Sequence, residues 1–556
     1  MGSSAFSIRF MLIETDFQAG LPPVLLHQLL TRAAACWPQR TALTVEGQHV
    51  VYAELQSQAQ RCAAGLLARG LVPGERVAVY LEKRLETVVA SFAISAAGGV
   101  LVPINPLLKP AQVAHVVQDA GASVLLTSAA RLASLALVLV DCPQLRHAVV
   151  CDTPALSQVS VSDAMHAGLA WHTWPDLLSS PDARWPTALE SDIAVIFYTS
   201  GSTGRPKGVV LTHRNLLAGA TSVAGYLHQR SDDILLAALP LSFDAGFSQL
   251  TTAFLVGARV VLLNYLLPRD VLRAMAQERV TCLTAVPPLY LQLAALDWPA
   301  EATQHLRYWA NTGGRMPAAT LQRLRQLAPN AQAYLMYGLT EAFRSTYLPP
   351  EEVDRRPDAI GRAIPNAEVR VLRPDGTECA VDEPGEVVHR GPLVALGYWN
   401  LPEATAQRFK PWPAALLPAG GHSLAPELAV YSGDTVRRDA DGFLYFVGRR
   451  DEMIKTSGYR VSPTEVEEVL YASGLVAEVV VYATPHEALG SAISAALWAS
   501  PQACGRVEED GAALLAHCRQ HLPAFMWPQA LHWVEQPLPR SPNGKLDRQH
   551  WALQHG

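Results

Sequence analysis

The stretch RVAVYLEKRLETVVASFAISAAGGVLVPIN, Arg76 to Asn105, decides the fold class. Its two ends, RVAVYL and VLVPIN, are short apolar runs typical of buried strands, and LETVVASFAISAA between them is typical of a helix. The uncharged run from Thr87 to Leu108 is long enough to span a bilayer, but glycines and prolines interrupt it. We therefore predict a strand–helix–strand unit of a parallel sheet.

The same rhythm continues along the chain. Further predicted strands are SVLLTS, HAVVC, DILLAAL, ARVVLL, VTCLTAV and LRYWANT, and predicted helices are AQVAHVVQDAG and PRDVLRAMAQER. The fold class predicted from them is α/β, with two doubly wound layers of parallel strands covered by helices. Residues 153–190, which show no clear period, are predicted to be a surface connection. After about residue 360, the runs EVRVLRPDG, GEVVHRG and FLYFVG predict a β-rich subdomain.

The expected domains follow from these changes of pattern. Residues 1–24 form an N-terminal extension, residues 25–450 a large domain with its β-rich part at about 360–447, and residues 451–556 a small α/β domain. In the small domain, Ser462 to Glu465 matches a capping box with proline at the first helical position, which predicts a firm helix start.

Composition excludes some classes of function. The 556 residues include 44 basic and 50 acidic side chains, a net charge of −6, which argues against a nucleic-acid binder. The eight cysteines are scattered without a CxxC pair, which favours reduced thiols in a cytoplasmic protein over a zinc site or a disulfide framework. The apolar run at the N-terminus is too short for a signal peptide, and no membrane span is expected.

A glycine-rich loop follows the apolar run IAVIF. In YTSGSTGRPKG, Tyr198 to Gly208, backbone N–H groups and hydroxyl groups can surround an anion, and Lys207 adds a positive charge. The GxxxxGK pattern of P-loop kinases and ATPases cannot be fitted to it, which disfavours that class. From these residues alone, a phosphate-binding loop and a solvent-exposed Gly/Ser turn both remain open.

Three further segments carry polar groups on turns. They are YGLTE at Tyr337 to Glu341, YSGD at Tyr431 to Asp434, and PRSPNGK at Pro539 to Lys545. The first suits a phosphate and Mg²⁺, the second suits ribose hydroxyls, and the third presents a lysine. Each segment by itself is equally well explained as an ordinary turn.

Together and in this order, the four segments resemble the AMP-forming, adenylate-forming (ANL) superfamily. That superfamily includes acyl-CoA synthetases, adenylation domains of peptide synthetases, and firefly luciferase. The resemblance runs from about Leu25 to Arg548. Two segments are similar to acyl-CoA ligases of exosortase A systems and to stand-alone enzymes that load amino acids onto carrier proteins. They are LTEAFRSTYLPPEEVDRRPDAIGRAIPNAEV and GRRDEMIKTSGYRVSPTEVEEV.

The resemblance implies an acid–thiol ligase. A carboxylate attacks the α-phosphate of Mg·ATP, which gives an acyl-adenylate and pyrophosphate, and a thiol then displaces AMP. The implied cofactors are ATP and Mg²⁺, with CoA or the phosphopantetheine of a carrier protein as co-substrate. Because the first step brings two anions together, catalysis must depend largely on positioning and charge neutralisation.

Roles for individual residues are carried over from the family. Lys545 would bridge the acid and the α-phosphate, Thr340 would contact that phosphate, Glu341 would bind Mg²⁺, and Lys207 would hold the outgoing phosphates together with the loop before it. The implied nucleotide-binding residues are Thr199, Ser200, Gly201, Ser202, Thr203 and Gly204 at the phosphates, Gly313, Gly314 and Tyr337 at the adenine, Asp434 at the ribose, and Arg449 and Arg460 at the ribose-phosphate region.

The resemblance also implies a domain movement. Asp451 matches the family's hinge position, and the small domain would turn there to withdraw Lys545. The same turn would bring the loop from Lys455 to Gly458 to the site for the thiol step.

The acid is predicted to be a small amino acid or a short polar acid. Asp244 has two open interpretations, a helix N-cap and a partner for a substrate ammonium. Arg344 could pair with a second carboxylate, although a structural salt bridge is favoured. The implied pocket residues are Asp244, Ala245, Ser248, Ala285, Thr312, Met336, Arg344 and Ser345. The alternatives are a non-catalytic adenylate-binding scaffold protein and a fatty- or aryl-acyl-CoA ligase.

Overall fold

A computed structural model describes residues 22–152, 169–180, 183–199, 206–314, 316–417, 426–449, 453–500, 503, 507–539, 546 and 548–555. In the first part of the chain the helices and strands are α1 (Leu26–Cys36), β1 (Thr41–Val45), β2 (Gln48–Val51), α2 (Tyr52–Ala68), β3 (Arg76–Tyr80), α3 (Leu85–Ala96), β4 (Val100–Pro103), α4 (Pro110–Ala120), β5 (Ala122–Thr127), α5 (Ala129–Leu135), β6 (His147–Val150), β7 (Ala170–Thr173) and α6 (Trp174–Leu178).

The second part of the chain repeats the alternation of strands and helices. Its elements are β8 (Ile193–Thr199), β9 (Lys207–Thr212), α7 (His213–Tyr226), β10 (Ile234–Ala237), α8 (Asp244–Val256), β11 (Arg259–Leu262), α9 (Pro268–Glu278), β12 (Cys282–Ala285), α10 (Pro287–Ala294), α11 (Ala300–Thr303), β13 (Tyr308–Asn311), α12 (Ala318–Leu327), β14 (Gln332–Tyr337), β15 (Thr346–Leu348) and β16 (Ala359–Ala363).

The remaining elements are mostly strands, followed by the small C-terminal unit. They are β17 (Glu368–Leu372), β18 (Gly385–Arg390), β19 (Gly397–Tyr398), α13 (Pro402–Arg408), β20 (Phe409–Pro411), β21 (Leu428–Arg438), β22 (Leu444–Arg449), β23 (Ile454–Thr456), β24 (Tyr459–Val461), α14 (Pro463–Ala472), β25 (Val476–His486), β26 (Gly490–Ala499), α15 (Val507–His521), β27 (Ala530–Val534) and α16 (Arg548–His555).

Two large sheets organise the N-terminal domain. One runs in the order β19-β9-β8-β4-β3-β5-β6-β7, and its neighbours from β4 through β3, β5 and β6 to β7 are parallel. The other has a parallel part, β14-β13-β12-β10-β11-β1, and continues through the antiparallel strands β15, β16, β22, β21, β18 and β17. The predicted β-rich region is therefore an extension of the second sheet.

Helices cover both faces of these sheets. The largest apolar core contains side chains of α1, α2, α3, α7 and α8 together with both sheets, so these helices form a layer between them. Helices α9, α10 and α12 pack on the outer face of the second sheet, and α4 and α5 pack on the outer face of the first. The fully buried strands explain the continuous apolar runs in the sequence. The prediction of two doubly wound α/β layers is confirmed.

The small domain has its own sheet and core. Its strands run β24-β23-β26-β25, with β27 paired to β26, and α14 and α15 pack against them. Helix α14 begins at Pro463 with Ser462 at the N-cap, as the sequence predicts. The side-chain part of the predicted capping box is wrong, because the Ser462 side chain makes no hydrogen bond at the cap.

The connection before β8 contains regular structure that the sequence pattern does not show. Strand β7 pairs in parallel with β6, and α6 follows it directly. The prediction of a surface connection over residues 153–190 did not include this strand and helix, because pairing with an existing sheet edge overrides weak local preference. Among the described residues, no helix is long and apolar enough to cross a membrane.

Candidate active site

A cavity of about 510 Å³ lies where the two large sheets and the small domain meet. It opens at the carboxyl ends of the parallel strands, which is where ligands bind in open α/β sheets. Many of the residues singled out in the sequence line it. These are Thr199, Asp244, Ala245, Thr312, Gly313, Tyr337, Thr340, Glu341, Arg344, Asp434, Lys455, Gly458 and Arg460.

Glu341 is a buried carboxylate surrounded by donors from distant parts of the chain. It lies in a short 3₁₀ turn after β14, and the hydroxyl of Tyr398 donates to its Oε1 over 2.7 Å. Arg408 and Arg460 lie 3.9 and 4.0 Å from the same oxygen. Burial by itself raises the pKa of Glu341, but the two guanidinium groups and the Tyr398 hydroxyl hold it below its ordinary value. Glu341 is therefore an ionised group facing the cavity.

Tyr337 and Asp434 form a second buried polar pair. The Tyr337 hydroxyl donates to Asp434 Oδ2 over 2.6 Å, and both residues are less than one-tenth exposed. Asp434 sits on β21, and its backbone lies opposite that of Arg449 on β22. Strand β14 thus delivers Tyr337 and Glu341 to the cavity, and the antiparallel extension of the same sheet delivers Asp434.

The predicted phosphate loop connects β8 and β9. Thr199 lies opposite Lys207 in this antiparallel pair. The Lys207 ammonium lies 5.5 Å from the centroid of the Tyr398 ring, and the hydroxyl of that ring binds Glu341. The end of the loop and the Glu341 carboxylate therefore share one aromatic neighbour.

Asp244 does not cap its helix. It is the first residue of α8, and Phe243 holds the N-cap position, so the N-cap interpretation is wrong. Its Oδ1 accepts from the Thr340 hydroxyl over 3.1 Å, and its Oδ2 accepts from Arg344 Nη1 over 3.0 Å. Arg344 is 3% exposed, so this is a buried ion pair. The geometry agrees with the favoured interpretation of Arg344 as a partner in a structural salt bridge.

Some implied pocket residues lie elsewhere. Ser248 and Met336 line a separate cavity of about 20 Å³ on the far side of Arg344. Ser345 is buried beside the Nδ1 atom of His389 at 2.9 Å, and Ala285 is completely buried. Within the described part of the chain, these four residues do not line the 510 Å³ cavity, and Gly314 does not line it either.

A hairpin of the small domain forms one wall of the cavity. Strands β23 and β24 are joined by Ser457 and Gly458, which both have positive φ angles (52° and 80°), the mark of a two-residue type I′ turn. A Cβ atom on Gly458 would lie only 2.8 Å from Val286 of the large domain. Glycine therefore permits both the turn and the close approach.

Aromatic and polar contacts hold this hairpin against the large domain. The Tyr459 ring stacks on Phe525 at 3.8 Å and meets Phe243 of the large domain edge-to-face at 5.5 Å. Glu465 accepts from Gln112 Nε2 over 2.8 Å, and burial raises the pKa of Glu465 to about 7. The carboxylate that the capping-box pattern assigns to the helix start instead bridges the two domains.

Several predicted residues lie outside the described part of the chain. They are Ser200, Gly201, Ser202, Thr203 and Gly204 of the phosphate loop, the hinge residue Asp451, and Lys545. The side chain of Arg449 also lies outside it. Their roles stay predictions.

Tyr398 and Arg408 lie outside every motif predicted to form the site. Both lie beyond β18 and reach Glu341 only because β19 pairs with β9 at the edge of the first sheet. Neither belongs to a motif with a local chemical signature. Only the fold brings them to the cavity.

The Glu341 carboxylate fits a Mg²⁺ ion whose other ligands are nucleotide phosphates and water. Among the described residues there is no group of three histidine, cysteine, aspartate or glutamate side chains that could hold a metal ion. Glu341 presents one ionised carboxylate. Mg²⁺ in nucleotide sites is bound by one or two carboxylates plus phosphates and water, which matches this donor set.

The sequence matches the family described as AMP-binding enzyme over residues 30–399, and the C-terminal domain of that family over residues 465–545. The chain belongs to this family. The prediction of the adenylate-forming superfamily of acid–thiol ligases is confirmed, because its relatives include ligases of both the CoA and the carrier-protein type.

Individual relatives cover nearly the whole chain. The chain is 31% identical over 527 residues to one of the linear gramicidin synthase proteins of Brevibacillus parabrevis, covering 94% of this chain but only 6% of that protein. It is 31% identical to the L-proline–[L-prolyl-carrier protein] ligase of Pseudomonas fluorescens, covering 94% of this chain and 98% of the relative.

Solved structures agree with this assignment. A double mutant of o-succinylbenzoate CoA synthetase from Bacillus subtilis, bound to a product analogue, is 26% identical with a TM-score of 0.77. The likeness covers 94% of this chain and 97% of that one. The two-domain α/β fold is therefore that of adenylating enzymes.

Proposed function

We propose that this protein is an ATP-dependent acid–thiol ligase that activates a short polar carboxylic acid as its acyl-adenylate. The observation that carries the proposal is the convergence of Glu341, Asp434 and the small-domain hairpin on one cavity. This arrangement supports a nucleotide site with an acid site beside it, bordered by the hairpin of the small domain.

The first half-reaction forms one bond and breaks one. A carboxylate oxygen of the acid attacks the α-phosphorus of ATP, the bond from that phosphorus to the bridging oxygen breaks, and pyrophosphate leaves. The ionised Glu341 would hold Mg²⁺, which neutralises phosphate charge. The Thr340 hydroxyl would lie near the α-phosphate, and Asp434 with Tyr337 would position the ribose and adenine.

In the second half-reaction, the hairpin of β23 and β24 would border the path of the thiol. A thiol sulfur attacks the acyl carbon, the bond to AMP breaks, and the thiol proton leaves to solvent. The type I′ turn at Ser457 and Gly458 lies against Val286 and Gly313, so the hairpin can border a channel for a phosphopantetheine arm. The thiol donor is CoA or a carrier protein.

The paired state of Asp244 favours an acid without an α-amino group. Thr340 and Arg344 already supply its two carboxylate oxygens with donors. A substrate ammonium would have to displace Arg344, which leaves the guanidinium buried without a counter-charge, or share Asp244 with it, which places two cations at one buried carboxylate. Both arrangements are costly. We therefore place short polar acyl acids before amino acids.

A small amino acid is the second candidate. The observation that favours it is the 31% identity to a proline–carrier-protein ligase over nearly its whole length. In that case Asp244 would exchange Arg344 for the substrate ammonium.

Acid-dependent pyrophosphate release tests both candidates. The acids should include butyrate, succinate, glutarate, alanine, proline and palmitate, each with no thiol, with CoA, and with a phosphopantetheine-loaded carrier protein. We expect release with short polar acids and a thioester product with one of the thiols. Release only with amino acids would favour the second candidate. No AMP with any acid would contradict the ligase assignment and favour a binding scaffold.

A further inference from the structure

A buried lysine lines the same cavity as the hairpin residues of the small domain. Lys83 follows β3, is only 8% exposed, and its ammonium donates to the carbonyl oxygen of Ala238 over 2.7 Å. Ala238 follows β10 of the other large sheet. The ammonium is therefore held between the carboxyl ends of strands from both sheets, and no part of the proposed reaction uses it.

The backbone of Lys83 is fixed from the opposite sheet. Asn264, which follows β11, accepts from the Lys83 N–H over 3.3 Å and donates to the Lys83 carbonyl over 2.8 Å. Two hydrogen bonds from one side chain hold the residue in register with the second sheet. Because Lys83 is already held in place, less conformational entropy is lost when a ligand binds than at a flexible lysine.

The ammonium has no counter-charge in the described part of the chain. No carboxylate of the described residues lies within 4.0 Å of it, and the neighbouring Glu82 carboxylate pairs with Arg84 at 3.5 Å and Arg131 at 3.4 Å. An ammonium has three donors, and here one carbonyl takes one of them. Burial lowers the pKa of Lys83 to about 7. A charge buried in this way is costly unless something pairs with it.

Lys83 and the Asp244–Thr340 pair line the same cavity. Ala238 and Asp244 are six residues apart, so the chain allows about 20 Å between them at most. The segment is folded back well short of that limit, because the N–H of Phe243 donates to the carbonyl of Pro240. The first turn of α8 also packs directly on this segment, because a Cβ atom on Gly246 would collide with the Pro240 carbonyl oxygen. Ala238 and Asp244 therefore lie near each other along one continuous cavity, so that one small molecule can contact both the Lys83 ammonium and the reacting end.

We propose that Lys83 is a specificity residue that binds a second carboxylate on the acid, so that the substrates are short dicarboxylic acids. This rests on the proposed ligase function and names its substrate class. One carboxylate of the acid enters the adenylation reaction near Thr340. The other, at the far end of the carbon chain, takes the free donors of the Lys83 ammonium.

The test compares acids of equal chain length with one and with two carboxylates. The pairs are butyrate with succinate, pentanoate with glutarate, and hexanoate with adipate, measured by acid-dependent exchange of pyrophosphate into ATP without any thiol. We expect the wild type to prefer the diacid in at least one pair by 10-fold or more in kcat/KM. Lys83→Met should lower that preference at least 10-fold, and Lys83→Arg should retain more of it than Lys83→Met.

Lys410→Met is the matched control, because Lys410 is an exposed lysine on β20 outside the cavity. It should leave the preference unchanged. The thermal midpoint of Lys83→Met at pH 7 should equal or exceed that of the wild type, since a buried unpaired charge has been removed. A lower midpoint would show that the ammonium serves the fold and would overturn the proposal.

Two other results would also overturn it. One is exchange with monoacids at the same efficiency as with their diacid partners in the wild type. The other is an effect of Lys83→Met that appears only after a thiol is added, which would assign the ammonium to the phosphopantetheine phosphate. If none of the acids supports exchange, the result would instead contradict the ligase function itself. The two failures are therefore distinguishable.

Discussion

Asp244 and Lys83 are two buried charges that line one cavity from different walls, and their surroundings differ. Asp244 has a hydroxyl on one oxygen and a guanidinium on the other. Lys83 has one backbone carbonyl and no described carboxylate within ion-pair distance. A buried charge with a complete set of partners stabilises a local arrangement. A buried charge with an incomplete set is suited to a ligand that completes it.

The largest expected effect comes from breaking the complete pair. Arg344→Met leaves the Asp244 carboxylate buried with only the Thr340 hydroxyl, which should lower the free energy of unfolding by about 4 kcal/mol. The measurement is chemical denaturation at pH 7. The double variant Asp244→Asn, Arg344→Met is the control and should recover most of the loss. Equal losses in the single and double variants would show that the two residues do not stabilise each other.

The next effect concerns the carboxylate at the nucleotide end. Glu341→Gln keeps the size of the side chain but removes its charge, and with it the proposed metal ligand. We expect kcat to fall roughly 10²-fold to 10³-fold for every acid alike. Steady-state kinetics with one diacid and one monoacid check this. A loss confined to one class of acid would place Glu341 at the acid instead of the nucleotide.

A smaller effect is expected from Lys83, which should lower the free energy of unfolding by an amount that depends on pH. Its pKa is lowered to about 7 in the folded protein, from an ordinary value near 10.5. The unfolded chain therefore binds a proton that the native protein lacks between these values. The destabilisation by Lys83 is full below pH 7 and fades as the pH rises to about 10.5. Removal of the charge by Lys83→Met contributes about 4 kcal/mol at pH 7 and about 1 kcal/mol at pH 10. The variant also leaves the Ala238 carbonyl without its donor, which costs about 1–2 kcal/mol, so the free energy of unfolding should rise by about 2 kcal/mol at pH 7 and change little at pH 10.

Denaturation of Lys83→Met and Lys410→Met side by side at both pH values provides the measurement. The same gain at pH 7 and pH 10 would show that better apolar packing, and not the buried charge, is responsible.

The smallest effect concerns Tyr337, the proposed neighbour of the adenine. Tyr337→Phe removes one hydrogen bond to Asp434, whose buried carboxylate then loses a donor. A bond of this kind contributes about 1 kcal/mol, so the KM for ATP should rise about fivefold with little change in kcat. A large fall in kcat with an unchanged KM would argue that Tyr337 acts in the reaction itself.

The fold could be predicted from the sequence because it has a local signature, and the motifs that suggest a nucleotide site come together at one cavity. Buried parallel strands appear as apolar runs between helices, as in Arg76–Tyr80 and Val100–Pro103. The segments that contain Glu341 and Asp434 are compact motifs. The predicted turn at YSGD is wrong, because Tyr431 to Asp434 lie within strand β21. Phosphate and ribose roles for these motifs follow only when the motifs are taken together, as the resemblance to the adenylate-forming superfamily implies.

The partners of the buried charges could not be predicted in the same way. Arg344 lies 100 residues after Asp244, and Gln112 lies 353 residues before Glu465. A local rule places Glu465 at a helix start and offers the same role as one of two for Asp244, but in the structure both carboxylates bind tertiary partners. Lys83 belongs to no motif at all. Its position just after a buried strand, at the carboxyl edge of the sheet, is the single local signal that could have pointed to it.

The most direct test of the central claim is exchange of labelled pyrophosphate into ATP. Formation of an acyl-adenylate makes this exchange depend on an acid and not on a thiol. We predict exchange with short diacids in the absence of CoA and carrier protein, and its loss in Glu341→Gln. Absence of exchange with every acid, while the folded protein still binds ATP, would contradict the account.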